Sequence, residues 1–325
     1  MLPSFSYVRA QTLDDALRQL SSDGAAVHAG GSDLLGCLRD GVFEVSKVVS
    51  LSGLGDLRGI RETRNGGLRI GATTTIAEVA GNDLIKRRYN TLAQAAAVVA
   101  SPQLRNQGTI GGNICQKPRC WYYRGEFECM RKGGGMCYAA GGESQFHCIL
   151  GGAGCFVVHP SDTAPALVAL GATVRITGPG GARTVPMEEF HVLPNVDFRR
   201  ETVLDPGEIV TEILLPEPVS GMRSSYRKVR ARGAWDFALA GVALALRFSG
   251  NRVEDGKVVL SGAAPVPWRS REAEEVLAGQ RLDAGVARRA GEAAMRDARA
   301  LQHNGYKIPL FRGLIEEQLL AILEA

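Results

Sequence analysis

No stretch of this 325-residue sequence is apolar for long enough to cross a membrane. The longest run, FALAGVALAL from Phe237, falls well short of the roughly 20 residues that a spanning helix requires. Aromatic residues make up only 6% of the chain and charged residues 22%, and the formal net charge of +4 is spread along it. So small a surplus leaves no electrostatic footprint for nucleic acid and reads as a solvated surface of mixed sign. The opening segment, MLPSFSYVRAQTLDD, carries neither a basic stretch nor an apolar core, so no secretory signal is expected. C-x-x-C knuckles are missing too, although there are seven cysteines. An odd, clustered set of cysteines without an export signal argues against a disulfide framework and for a metal site in a reducing compartment. The expected location is the cytoplasm; a periplasmic one would require the export signal on a partner chain.

What remains is an ordinary globular composition, 45% hydrophobic with a mean hydropathy near zero, long enough for two domains. Thr12 with Asp15 reads as a helix start, with Leu13, Ala16, Leu17 and Leu20 as its apolar stripe. AAVHA from Ala25 and KVVSL from Lys47 read as strands. LRGIRET and GLRIGA read as a hairpin around Asn65-Gly66-Gly67. A long helical pattern covers about 75–100 and stops before Pro102. Further on, ATVRITGPGGARTVP reads as a second hairpin and GEIVTEILLPEP as a strand. The segment around Pro216 reads as a linker, followed by strands SYRKVR and VVLSGAA and helices over about 283–302 and 313–323. Mixed strands and helices in two units give an α+β fold with a smaller C-terminal domain.

Two glycine loops carry the first functional signal. In AGGSDLL (Ala29, Gly30, Gly31, Ser32, Asp33, Leu34, Leu35) a strand runs into paired glycines, which let the backbone approach an anionic ligand closely. The spacing is not G-x-G-x-x-G, and no P-loop lysine follows. The second loop, SPQLRNQGTIGGN, contains Ser101, Arg105, Asn106, Gln107, Thr109, Ile110, Gly111, Gly112 and Asn113. One such loop reads as a turn; two together suit a ligand with two polar ends, such as a dinucleotide. Asp162, before an apolar helical run, reads as a helix-start carboxylate or as a ligand acceptor. Lys228, Arg232 and Asp236 recur every four residues, which on a helix would share one face above an apolar run.

The second signal is the cysteine stretch: Cys120, Cys129, Cys137, Cys148 and Cys155 lie in a glycine-rich segment poor in aliphatic residues. Such a segment buries too little apolar surface to hold its own shape, so something else must order it. On spacing alone, an iron–sulfur centre, a zinc site, a redox disulfide and free thiols all remain open.

The order of these motifs resembles the FAD-binding medium subunit of the xanthine dehydrogenase family of molybdenum hydroxylases, from about residue 3 to 320. AGGSDLL is similar to that family's first pyrophosphate loop and RNQGTIGGN to its second. By the same resemblance Asp162 lies near the flavin, Ile209 packs on its ring, and Lys228, Arg232 and Asp236 open the smaller domain. The implied fold is a two-part FAD-binding domain of the PCMH/vanillyl-alcohol-oxidase type over 1–219, with subdomains about 1–56 and 57–219. A CO dehydrogenase flavoprotein C-terminal-like domain over 220–325 completes it. The segment 115–156 is an insertion similar to that of a branch including 4-hydroxybenzoyl-CoA reductase and some bacterial aldehyde oxidoreductases, where it holds a 4Fe-4S cluster. That comparison implies Cys120, Cys129, Cys137 and Cys155 as ligands, with Cys148 left out and Cys37 and Cys115 structural. It further implies a large molybdopterin-binding partner, where the substrate reacts, and a small partner with two 2Fe-2S clusters. FAD and the 4Fe-4S cluster would pass electrons to or from an outside carrier, whether ferredoxin, quinone or NAD. No nucleophile or general-base constellation stands out. A stand-alone FAD oxidoreductase and a zinc-stabilised binding module are the competing readings.

Overall fold

The computed structural model describes residues 1–324. The chain opens with β1 (Ser6–Arg9), α1 (Leu13–Leu20), β2 (Ala25–His28), α2 (Leu34–Arg39) and β3 (Lys47–Ser50). Both crossovers are helical, and the strands form a parallel sheet ordered β1-β3-β2. Thr12 caps α1 by accepting from the Asp15 N–H at 3.1 Å, and Ala16 and Leu20 are buried.

β4 (Ile60–Glu62) and β5 (Leu68–Gly71) follow as the expected hairpin. The long helix expected over 75–100 is instead three: α3 (Ile76–Gly81), α4 (Asp83–Arg88) and α5 (Asn90–Ala97). Asn82 makes the first break, because its side chain accepts from the N–H groups of Leu84 and Ile85 and so starts a new helix. Tyr89 makes the second, leaving the helical region at φ −140° while its hydroxyl donates to the Pro216 carbonyl at 2.6 Å.

The second glycine loop is likewise mostly helical, as α6 (Pro102–Gln107) and α7 (Ile110–Ile114), capped by Ser101 and Thr109. The cysteine segment contributes α8 (Trp121–Arg124), and α9 (Thr163–Ala169) follows it. β6 (Thr173–Gly178), β7 (Gly181–Pro186) and β8 (Ile209–Leu215) complete an antiparallel sheet ordered β4-β5-β8-β6-β7.

β9 (Met222–Val229), β10 (Ala240–Ser249), β11 (Arg252–Ser261) and β12 (Trp268–Arg269) form a third, antiparallel sheet. α10 (Arg271–Leu277), α11 (Ala284–Ala294) and α12 (Lys307–Glu324) complete the chain. α10 was not expected from the sequence, and α12 starts before the expected 313. The apolar run near Phe237 becomes β10, buried on both faces. Ala243 and Ala245 join the core of the first unit, while Val242, Leu244 and Leu246 join the core under α10–α12. A strand covered on both sides needs no polar alternation, which explains the run. Lys228 lies on β9, whereas Arg232 and Asp236 lie in the β9–β10 loop, so the three share no helix face.

The cysteine segment is held by more than its thiols. Tyr122, Phe127 and Tyr138 pack together with ring centroids 5.0–5.8 Å apart. From the far end of the chain, Asn304 Nδ2 donates to the carbonyls of His147 and Cys148, both at 3.0 Å. Lys307 Nζ donates to those of Phe146 and Gly262, at 3.3 and 2.8 Å. The expectation that something beyond its own apolar surface must order this segment finds part of its answer here: aromatic packing and the 304–307 anchor.

Candidate functional site

The two glycine loops touch. A Cβ placed on Gly30 would lie 2.0 Å from the Gln107 carbonyl oxygen, so only glycine lets β2's exit pack against the end of α6. Gly31, at φ +70°, turns the chain there, and its missing Cβ leaves room for the His28 ring. Gly111 in turn lies against Ala72, where a Cβ would approach backbone oxygen at 2.9 Å.

The contact leaves a cleft of two lobes. The larger, about 740 Å³, includes Gly31, Ser32, Leu35, Thr109, Gly112, Asn113, Asp162 and Lys228. The other, about 340 Å³, includes Ala29, Gly30, Leu34, Gly111 and Ile209. Gly31, Ser32, Asp33, Thr109, Gly112 and Gln116 line both. A cleft of this size, mostly apolar with a few polar groups, suits an elongated cofactor.

Asp162 and Ile209 therefore fall in different lobes, although both were expected at one ring. Ser101, Arg105, Asn106, Gln107 and Ile110 line neither. Ser101 caps α6, Arg105 Nη1 donates to the Val99 carbonyl at 2.7 Å, and Ile110 is fully buried core. Gln107 serves through its backbone.

Asp162 precedes α9 without capping it. Its carboxylate accepts from Lys228 Nζ at 2.7 Å and from the Tyr226 hydroxyl at 2.8 Å. Burial pushes this carboxyl up from its ordinary value, and Lys228 and Tyr226 pull it back toward the charged form. Beside it, Asn113 Oδ1 accepts from the hydroxyls of Ser161 and Thr163, both at 2.6 Å, fixing the second glycine loop to α9.

Asp33 links the cleft to the cysteine segment. Its carboxylate accepts from the Lys117 N–H at 2.8 Å and pairs with Arg124 and Arg119 at 2.7 and 2.9 Å. Sequence reasoning missed Gln116, Arg119, Arg124, Trp235 and Phe237 as cleft-lining residues. Nothing in their spacing marks them; only the fold brings them to Asp33 and Gly31.

Among the described residues, no three His, Cys, Asp or Glu side chains converge as a ready-made metal-ion site. The thiols approach in parts. Cys137 and Cys155 act on each other, which pulls the Cys137 thiol down and pushes the Cys155 thiol up. Burial pushes Cys120 up to about 11, and the nearby Cys129 and Cys155 add to it. Cys120 Sγ also lies 3.2 Å from His147 Nε2. Arg131, almost fully buried, donates from Nε to Cys155 Sγ at 3.3 Å and pairs with Glu201, which pairs in turn with Lys117. Cys148 packs against Gly152, where a Cβ would lie 2.6 Å from its sulfur, and burial pushes it up to about 12. Burial likewise pushes Cys37 and Cys115 up, to about 11 and 12. An all-thiol donor set beside a buried guanidinium fits an anionic thiolate-held group.

Sequence comparison places this architecture. The family described as "FAD binding domain in molybdopterin dehydrogenase" matches residues 3–218, and "CO dehydrogenase flavoprotein C-terminal domain" matches 224–321. The chain belongs to the FAD-binding medium subunits of the xanthine dehydrogenase family. It is 36% identical to the aldehyde oxidoreductase FAD-binding subunit PaoB of Escherichia coli (strain K12) over 281 residues, 85% of this chain and 86% of that one. The carbon monoxide dehydrogenase medium chain of Afipia carboxidovorans is 31% identical, over 87% of this chain and 83% of its own. Among solved structures, a carbon monoxide dehydrogenase from Hydrogenophaga pseudoflava lacking the Mo-pyranopterin moiety matches with a TM-score of 0.79 and 26% identity. That match covers 100% of this chain and 99% of the other.

Proposed function

We propose that this chain is the FAD- and 4Fe-4S-carrying electron-transfer subunit of a three-subunit molybdenum hydroxylase. The observation that carries this reading is Asp33: one carboxylate joins the first glycine loop to Arg119 and Arg124 of the cysteine segment, so cleft and thiols form one continuous unit. FAD would lie along both lobes, its pyrophosphate against the Gly30–Ser32 and Thr109–Gly112 backbones. Asp162 and Lys228 form one of the charged pairs in the wall of the larger lobe. Cys120, Cys129, Cys137 and Cys155 would hold the cluster, with Arg131 donating to the Cys155 sulfur. The flavin supplies exchange between two-electron and one-electron transfer, and the cluster a further one-electron port. The chain's own part is to bind, orient and shield these groups and to set their surrounding charge. Substrate chemistry belongs to a large molybdopterin-binding partner, and a small partner with two 2Fe-2S clusters would connect it to this chain.

Anaerobic purification tests the proposal. The expected protein is brown-yellow, with FAD and about four irons per chain, the content of a four-thiolate cluster. Cys129→Ser should lower iron while FAD stays, and Cys148→Ser should change neither. Colourless protein containing zinc, which the Cys120–His147 contact would equally accommodate, would overturn the cluster assignment.

A further inference from the structure

Within the cysteine segment a tight turn carries Arg131 inward. The Met130 N–H donates to the Met136 carbonyl at 3.1 Å, and the Lys132 N–H to the Cys129 carbonyl at 2.8 Å. Glycine permits so close a return of the chain: Gly133 sits at φ +99°, and a Cβ on Gly134 would lie 1.7 Å from the Glu128 carbonyl oxygen. At the turn's centre the Arg131 side chain is only 2% exposed.

Two partners divide its guanidinium. Nε donates to Cys155 Sγ at 3.3 Å, and Nη1 donates to Glu201. Glu201 comes from 70 positions further on, next to the bridge between His191 and Thr202. Its other carboxylate oxygen pairs with Lys117, which lines the smaller lobe of the cleft. The triad therefore runs from the cleft wall to a sulfur, and two cations around one carboxylate leave it net positive. A pair buried this deeply is weak evidence of a stabilising role, because apolar side chains of similar volume would hold the same space as well. Its geometry makes sense toward the thiols. Glu201 takes one nitrogen of a planar fork, which leaves Nε facing the sulfur.

We propose that Arg131 is a positioning residue acting through Cys155: held by Glu201, it raises the one-electron reduction potential of the centre that Cys155 ligates. This inference rests on the cluster reading given above. A thiolate-held centre that takes one electron from the flavin gains one negative charge, and no proton need move. A donor on a ligand sulfur and a net positive neighbourhood favour that reduced state, and both are levers that set such potentials. Burial strengthens them, since little water screens the charge. Lys117 adds to the same field from the cleft side.

The test is a redox titration, followed by electron paramagnetic resonance, of the anaerobically purified full chain, with iron and FAD measured on the same samples. Arg131→Met keeps the bulk but neither charge nor donor. It should lower the midpoint by at least about 59 mV, a tenfold change in the one-electron equilibrium, with FAD content unchanged. Arg131→Lys, which keeps the charge, should show a smaller drop. A smaller shift in iron-loaded Arg131→Met, or an upward one, would overturn the inference. Should Arg131→Met lose its iron, Lys117→Met decides, because Lys117 Nζ bonds Glu201 and not a sulfur. It should shift the same equilibrium about threefold toward the oxidised state, and an unchanged midpoint would overturn the inference equally. Wild-type chain without iron would overturn the cluster reading and this inference with it. Iron-loaded wild type beside an unshifted variant overturns the inference alone.

Discussion

The Trp235 N–H donates to the Ala100 carbonyl at 3.0 Å, and these two residues are the only non-glycine positions with positive φ among the described residues, at 52° and 42°. Both line the large lobe of the cleft. One leaves the helical layer of the first unit and the other sits in the β9–β10 loop, so the bond closes the cleft across two regions of the chain. Left-handed backbone at such residues costs on the order of 1–3 kcal/mol and persists only where the surroundings impose it.

Ala100→Gly should therefore raise stability by about 1 kcal/mol, because glycine adopts this conformation without strain. Urea denaturation at fixed FAD occupancy measures it. An unchanged or lower midpoint would mean that Ala100 carries no strain.

The Asp162–Lys228 pair is buried on both sides, with side chains 5% and 1% exposed. Lys228→Met should cost about 3–5 kcal/mol, since it strands a buried carboxylate, and adding Asp162→Asn should recover much of the loss. Denaturation of the two variants, with FAD absorbance followed in parallel, separates a stability role from a binding role.

Acid should unfold the chain through a histidine pair. His159 and His191 pack with ring centroids 4.1 Å apart, and His191 Nε2 bonds the Ile114 carbonyl at 2.9 Å. Burial holds His191 at about 4 and His159 well below its ordinary 6.5. With the folded value depressed, the unfolded chain binds the proton first, so this stability is present above pH 6.5 and is lost as pH falls toward 4. Each unit in that window should cost up to about 1.4 kcal/mol per histidine. His191→Gln, which can still donate to Ile114, should flatten the slope of urea midpoint against pH between 7 and 4.5. An identical slope would remove His191 from the account.

Gly30→Ala should abolish FAD retention while leaving the far domain intact, because its Cβ would push β2's exit away from Gln107. Flavin absorbance of the purified variant, with far-ultraviolet circular dichroism as the folding control, decides it. Full yellow colour in Gly30→Ala would show that the loops need not touch.

Local chemistry made much of the fold legible. Thr12 with Asp15, the Asn65-Gly66-Gly67 turn and the strands from Ala25 and Lys47 each carry their signal within a few residues, and each appears in the structure. The helix over 75–100 was misjudged because apolar periodicity runs through Asn82 and Tyr89, whereas their side chains terminate helices by bonds that periodicity does not register. Glycine pairs marked both loops, since close approach requires glycine whatever lies opposite. Asp33's partners were not legible: Arg119 and Arg124 are 86 and 91 positions away, and only the fold brings them together. Ile209 and Asp162 share a cleft but not a lobe for the same reason, as β8 and α9 enter it from different sides.

The anchor of the cysteine segment has a consequence for synthesis. Asn304, which holds the His147 carbonyl, leaves the ribosome 157 residues after it. At typical elongation rates of roughly 5–20 residues per second, that is an interval of about 8–30 s. Through nearly all of it, the thiols of residues 120–155 are already made but their docking partner does not yet exist. The five cysteine sulfurs of this segment must therefore stay reduced on a nascent chain until residues 304–307 emerge to dock it.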